Sequence, residues 1–180
     1  VSGTMQSAQT AVKRLPGSSV TVLDSLNISV GQGLIVAHAA RMVKADKSHD
    51  EIVEGVNHAR DITKVYCCVK DLSYSVRGGR VPNSIKIIAD LLHIRPVLTT
   101  SKNGKLEKAG AVLGKNNLGK KMVKYMNKNH DNSMPYRISV GHCNCPEEGQ
   151  ALIDGLKRTF SNLTSIELLE VGGALGVHTG

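Results

Sequence analysis

Short extended apolar runs alternate with segments of helical apolar spacing along the whole chain, and few folds accommodate that order. Thr4 to Leu15 sets Met5, Ala8, Val12 and Leu15 at helical spacing, and Pro16-Gly17 ends it. Val20 to Leu23 reads as a short buried strand running into Asp24-Ser25. Gly31 to Ala45 reads as an Ala-rich helix packed on both sides, and Ser48 followed by Glu51 as a capping box opening a helix to about Ile62. Val65 to Val69 is expected to be a strand carrying Cys67 and Cys68. A short helix follows, broken by Gly78-Gly79-Arg80, then a second over Ile85 to Leu92. Arg95 to Thr100 reads as a strand with Asn103-Gly104 as its turn. From Leu106 a lysine-rich region begins, helical by about Gly119. Tyr136 to Val140 predicts a strand, Pro146 to Phe160 a helix with Pro in its first turn, and Ser165 to Val171 a last long strand. Strand–helix alternation of this kind implies an α/β layer architecture. The expected fold is a mixed β-sheet with flanking helices over residues 64–180. The best boundary lies near residues 62–64, which sets residues 1–63 apart as an N-terminal α/β unit. Val1 leads directly into Ser2-Gly3-Thr4, so the chain reads as a fragment.

Composition narrows the classes. With 41% hydrophobic and 21% charged residues in 180, the chain can bury a core. No apolar run reaches the roughly 18 residues of a membrane-spanning helix, and no charged-then-apolar leader argues for export. Four cysteines do not make a disulfide scaffold, which suggests a reduced, cytoplasmic protein. The net charge of +8 is local: eight lysines fall between Ser101 and His130, with Glu107 and Asp131 the only acids in or beside that stretch. Such a face is either a solvated helix surface or an attractor of anionic partners. The stretch holds no arginine and little aromatic character, so nucleic acid is not expected as a partner.

Several groups of residues carry possible chemistry. Ser2-Gly3-Thr4 at a helix start outlines an anion site, and equally an ordinary N-cap. Gly31-x-Gly33 lacks the third glycine of a dinucleotide loop, because position 36 is Val36. Arg80, after a tightly turning Gly78-Gly79 pair, suits a carboxylate or phosphate. His142-Cys143-Asn144-Cys145 lacks the second half that a zinc site needs, so no metal is expected. Cys67 and Cys68 alternate across their strand, and at least one should fill the core. Ser2 and His178 supply either a nucleophile and base or a pair of donors for a bound carboxylate.

The motifs taken together resemble one family. Ser2-Gly3-Thr4-Met5-Gln6-Ser7-Ala8 is similar to the SGTYQSA segment of the DegV family. Val22-Leu23-Asp24-Ser25 with Ser29-Val30-Gly31-Gln32-Gly33 resembles its VDS…SxGxG stretch, and Leu72-Ser73-Tyr74 with Gly78-Gly79-Arg80-Val81 its LxYL…GGRI element. Ile94-Arg95-Pro96-Val97-Leu98 is similar to its IKPIL strand, and Gly176-Val177-His178-Thr179-Gly180 to its closing HTGPG. On this resemblance the chain would correspond to the C-terminal two-thirds of such a protein, with residues 1–63 the remainder of a smaller parallel α/β domain whose first strands are absent. Met5 stands at the family's Tyr, Ser75 at the last Leu of LxYL, and Ala111-Val112-Leu113 where many members carry Lys-Val-Arg.

The resemblance implies a DegV-like bacterial fatty-acid-binding protein, not itself a catalyst and without a cofactor. It would hold a long-chain fatty acid and present it to a fatty acid kinase, which makes the acyl phosphate for phospholipid synthesis. Ser2, His178 and Arg80 would hold the carboxyl, supported by Gly3, Thr4, Gly78, Gly79 and Thr179. Met5, Ile35, Ile87, Leu91 and Leu92 would line the acyl slot. Lys115, Lys120, Lys121 and Lys124 would meet the kinase or, transiently, an anionic membrane surface. Two further readings stand beside this one: a lipid-sensing protein with no kinase partner, and a small-molecule enzyme using Ser2 and His178.

Overall fold

The computed structural model describes residues 3–114 and 116–179. Helices α1 (Thr4–Lys13), α2 (Ser29–Lys44), α3 (His49–Ile62), α4 (Ser73–Arg77) and α5 (Asn83–Leu91) come first. Strands β1 (Ile94–Thr100) and β2 (Leu106–Leu113) follow, then helix α6 (Leu118–Asn129), strand β3 (Tyr136–His142), helix α7 (Pro146–Thr159), strand β4 (Leu163–Glu170) and helix α8 (Gly173–Thr179).

Local chemistry explains the turning points. Ser48 Oγ accepts from the Glu51 backbone N–H while the Glu51 carboxylate accepts from the Ser48 N–H, the reciprocal box that starts α3. Gly104 sits at φ +69°, a left-handed conformation that glycine adopts without steric cost. Beside it, Ser101 Oγ accepts from the N–H groups of Asn103 and Lys105, and the chain reverses. The arms of this hairpin, β1 and β2, pair antiparallel from Ile94 opposite Leu113 to Thr100 opposite Leu106. β3 and β4 pair in parallel, with α7 as the crossover that a parallel pair requires. Both pairing senses therefore occur, and helices flank them: the mixed α/β fold expected.

Three local expectations are corrected, and one strand is added. Residues 20–23 form no ladder among the described residues, and Val20 is 49% exposed; a β-branched run becomes a strand only beside a partner. The strand expected over Val65 to Val69 reduces to one antiparallel bridge, Cys67 with Leu98. α2 buries only Gly31 and Ile35 and leaves Val36 and Val43 exposed. It packs on α3 and β3 along one side, so its outer face is open. β2 had no sequence assignment of its own, because Leu-Glu-Lys-Ala-Gly-Ala carries little β-branched density; pairing with β1 makes it a strand.

Three apolar clusters hold these pieces. Val97, Val112, Leu118 and Met122 join the hairpin to α6. Val140, Ile153, Leu156 and Phe160 join β3 to α7. Val69, Leu72 and Ala89 fix α4 and α5 beneath the start of β1. Among the described residues, no helix is long and apolar enough to cross a membrane.

Candidate functional site

The parallel pair sets the position of the site. The carboxyl ends of adjacent parallel strands open into loops, and in α/β folds that is where ligands collect. β3 leads into the 143–145 loop and β4 into α8, whose last turn folds back over that loop. Cys143 Sγ lies 3.0 Å from Thr179 Oγ1, which also donates to the Leu175 carbonyl. From the other side α4 packs on α8. Ser75 Oγ donates to the His178 carbonyl oxygen at 2.6 Å, across 103 residues of sequence.

His178 thereby meets the glycine–arginine loop. Gly78 approaches the imidazole so closely that a Cβ placed there would fall 2.1 Å from His178 Nδ1. That nitrogen is buried and has no hydrogen-bond partner among the described residues. Arg80 is exposed, and its Nη1 donates to the Gly78 carbonyl at 2.6 Å, folding the guanidinium back over the loop. The Arg80 and Val81 N–H groups both donate to the Ser75 carbonyl, which shapes the loop. Gly79 takes φ +70° between them.

The structure thus brings together His178, Thr179, Gly78, Gly79 and Arg80. Gly3 and Thr4 are exposed at the start of α1, a helix that buries no residue. Ser2 lies outside the described residues, as does Lys115. Of the apolar residues expected around an acyl chain, Ile35 is buried and Met5 half-buried, while Ile87, Leu91 and Leu92 are exposed. The reason is helical phase: Ile85 and Ala89 face the Val69–Leu72 cluster, which turns Ile87 and Leu91 outward. Ser75 is the residue that sequence reasoning missed. Its signal was a small hydroxyl residue in an otherwise apolar position, 6% exposed.

The Cys67 and Cys68 thiols are not poised to react. Burial pushes Cys67 up to about 11 and Cys68 up to about 12, so both stay protonated at neutral pH and act as small core residues. Among the described residues no three His, Cys, Asp or Glu side chains group to hold a metal ion. A polar recess of about 470 Å³ between Lys70, Asp71, Asn116, Asn117 and Glu148 contains the Lys70–Glu148 ion pair, and none of the carboxyl-binding candidates. On the far side of the hairpin, β2 and α6 enclose an open groove of about 510 Å³ walled by Lys121, Lys124 and Lys128. Lys120, one position along the helix, is exposed and points about 100° away from Lys121.

The DegV family pattern, described as that of an uncharacterised protein family, matches residues 1–180. The chain belongs to the DegV family. A DegV domain-containing protein of Clostridium perfringens is 28% identical over 184 residues, covering all of this chain and 63% of its own length. This DegV chain therefore spans under two-thirds of that relative. A DegV family protein of Eubacterium eligens, solved loaded with heptadecanoic acid, superposes with a TM-score of 0.87 at 23% identity, over 99% of this chain and 65% of its own. The fatty acid kinase B3 protein of Streptococcus pneumoniae, solved loaded with linoleic acid, gives a TM-score of 0.84 at 24% identity, over 99% of this chain and 64% of its own. At these identities the superpositions establish the fold.

Proposed function

We propose that this DegV chain is the larger part of a fatty-acid carrier: it holds the carboxyl of a long-chain acid at His178 and Arg80, with Ser2 completing the cradle. The carrier presents that group to a fatty acid kinase and is not itself the catalyst. The observation that carries the reading is the meeting of His178 with the 78–80 loop at the carboxyl ends of the parallel strands. The Nδ1 of that ring is buried against Gly78 and has no hydrogen-bond partner among the described residues. A guanidinium offers paired N–H donors and a permanent charge, which suit a carboxylate and equally the acyl phosphate made from it. The imidazole donates to either and can take a proton as the charge of the cargo grows.

The acyl chain needs apolar cover that begins near the headgroup. α5 starts three residues after Arg80, and nine helical residues run for about 13 Å. Ile87 and Leu91 form an exposed apolar row along it, and Ile35 and Met5 complete the lining in this reading. The ligand class is supported by the loaded E. eligens and S. pneumoniae proteins.

The remaining partners follow from charge. In this reading Lys115, Lys120, Lys121 and Lys124 are the residues that meet the kinase or transiently an anionic bilayer, in a cytoplasmic protein. Suitably placed lysines contribute about 1 kcal/mol each at an anionic surface. We also place a domain boundary at residues 63–64, with α1 to α3 belonging to the N-terminal unit.

The test is native mass spectrometry of the full protein purified without added lipid, followed by acyl analysis. One long-chain acid per protein is the expected result. A protein that arrives empty and takes up no added fatty acid refutes the carrier reading, and turnover of a small substrate without any kinase would move the Ser2–His178 enzyme in its place.

A further inference from the structure

We infer that Ser75 is a positioning residue: its hydroxyl locks the histidine-bearing helix α8 to the arginine loop and thereby sets the spacing of the carboxyl-binding groups. The inference rests on the carboxyl-binding reading above and adds a residue to it. Ser75 is 6% exposed, a place where a hydroxyl is costly unless it is bonded. Its Oγ donates to the His178 carbonyl at 2.6 Å. That carbonyl lies in the last turn of α8, where helix carbonyls have no intrahelical donor. The carbonyl of the same Ser75 accepts from Arg80 N at 2.9 Å and Val81 N at 3.2 Å. One residue therefore grips both halves of the site, the loop through its main chain and α8 through its side chain.

The division has a specific consequence. Substituting the side chain leaves the main-chain bonds to Arg80 and Val81 in place and releases only α8, leaving the His178 carbonyl without its donor.

The experiment compares the wild-type full protein with Ser75→Ala and Ser75→Thr, the latter keeping the hydroxyl. In ligand-free protein, the His178 ring resonances should move in Ser75→Ala and return toward wild type in Ser75→Thr. Amide exchange in α8 should accelerate in Ser75→Ala while the Arg80 and Val81 amides keep their protection. With palmitate as probe, Ser75→Ala should bind about fivefold more weakly or worse, the effect of an unpartnered buried carbonyl, and Ser75→Thr should recover most of the loss. Unchanged His178 resonances, or palmitate affinity within about twofold of wild type, overturn the inference. If Ser75→Ala does not fold, Ser75→Cys keeps the volume with a weaker donor and is read by the same criteria. The ligand-free arm needs no fatty acid, so a wild-type protein that ignores palmitate sinks the carrier reading and leaves the Ser75 lock to be judged by His178 alone.

Discussion

Gly78 is the tightest point of the site. Its φ of −76° is open to any residue, so the requirement for glycine comes from the imidazole and not from the backbone. A methyl group there would stand 2.1 Å from His178 Nδ1, and one of the two must move. Gly78→Ala is predicted to displace the ring, weaken fatty-acid binding about tenfold and destabilise the protein by about 1–3 kcal/mol; calorimetric titration with palmitate and a denaturant melt check both. Binding and stability equal to wild type would mean that the ring is not held where it is drawn. At this scale the sequence was informative about chemistry and silent about neighbours. Arg80, Gly78 and His178 stood out because their residue types suit a carboxylate. That they meet depends on α4 packing against α8, and no local pattern encodes that. Ser75 was passed over because one of two serines in the short polar helix Ser73–Arg77 gives no hint of its bond to a residue 103 positions away.

Elements were legible where their ends carry their own chemistry. The capping box of α3, the Pro at the start of α7 and the Asn103-Gly104 turn all sit where the residues put them. β2 and residues 20–23 were misread for one reason: strand formation is decided by the partner, and propensity alone overrates Val20-Thr21-Val22 and underrates Glu107-Lys108-Ala109. Packing between elements also sets one titration. His130, just past α6, stands edge-on to Tyr66 at 5.4 Å and Tyr136 at 6.2 Å, with Nε2 3.1 Å from the Tyr66 hydroxyl. Burial holds its imidazole below the ordinary 6.5. The folded state therefore favours the neutral ring. The stabilisation is complete above the unfolded value and is lost as pH falls from there through the lowered folded value. Denaturation midpoints at pH 7.5 and 5.5 should drop more for wild type than for His130→Gln. Equal drops would show that this ring does not contribute to the acid sensitivity.

Across the whole molecule, the lysine groove and the 78–80 loop are built from different elements. The β2–α6 groove gathers Lys121, Lys124 and Lys128, whereas His178 meets the 78–80 loop beyond the carboxyl ends of β3 and β4. Glutamate at Lys120, Lys121 and Lys124 together should reduce association with anionic vesicles, most at low salt, and leave palmitate affinity unchanged. Vesicle sedimentation that does not respond to the triple change would remove these lysines from the partner surface. Leu113, 70% exposed where many DegV members carry arginine, borders the same groove. The lysine excess was plain in the sequence, but its division between a groove wall and the open Lys120 face required α6 to be seen against β2.

The proposed carboxyl-holding role of His178 and Arg80 is tested most directly by titrating the full protein with palmitate and with methyl palmitate. The two ligands share the acyl chain and differ in the headgroup charge. Wild type should bind the acid at least about tenfold more tightly than the ester, the scale of a charge-assisted hydrogen bond. His178→Ala and Arg80→Ala should each shrink that preference while leaving ester binding nearly unchanged. Equal affinity for acid and ester, or a preference that survives both substitutions, would contradict a carboxyl site at the meeting of α8 with the 78–80 loop.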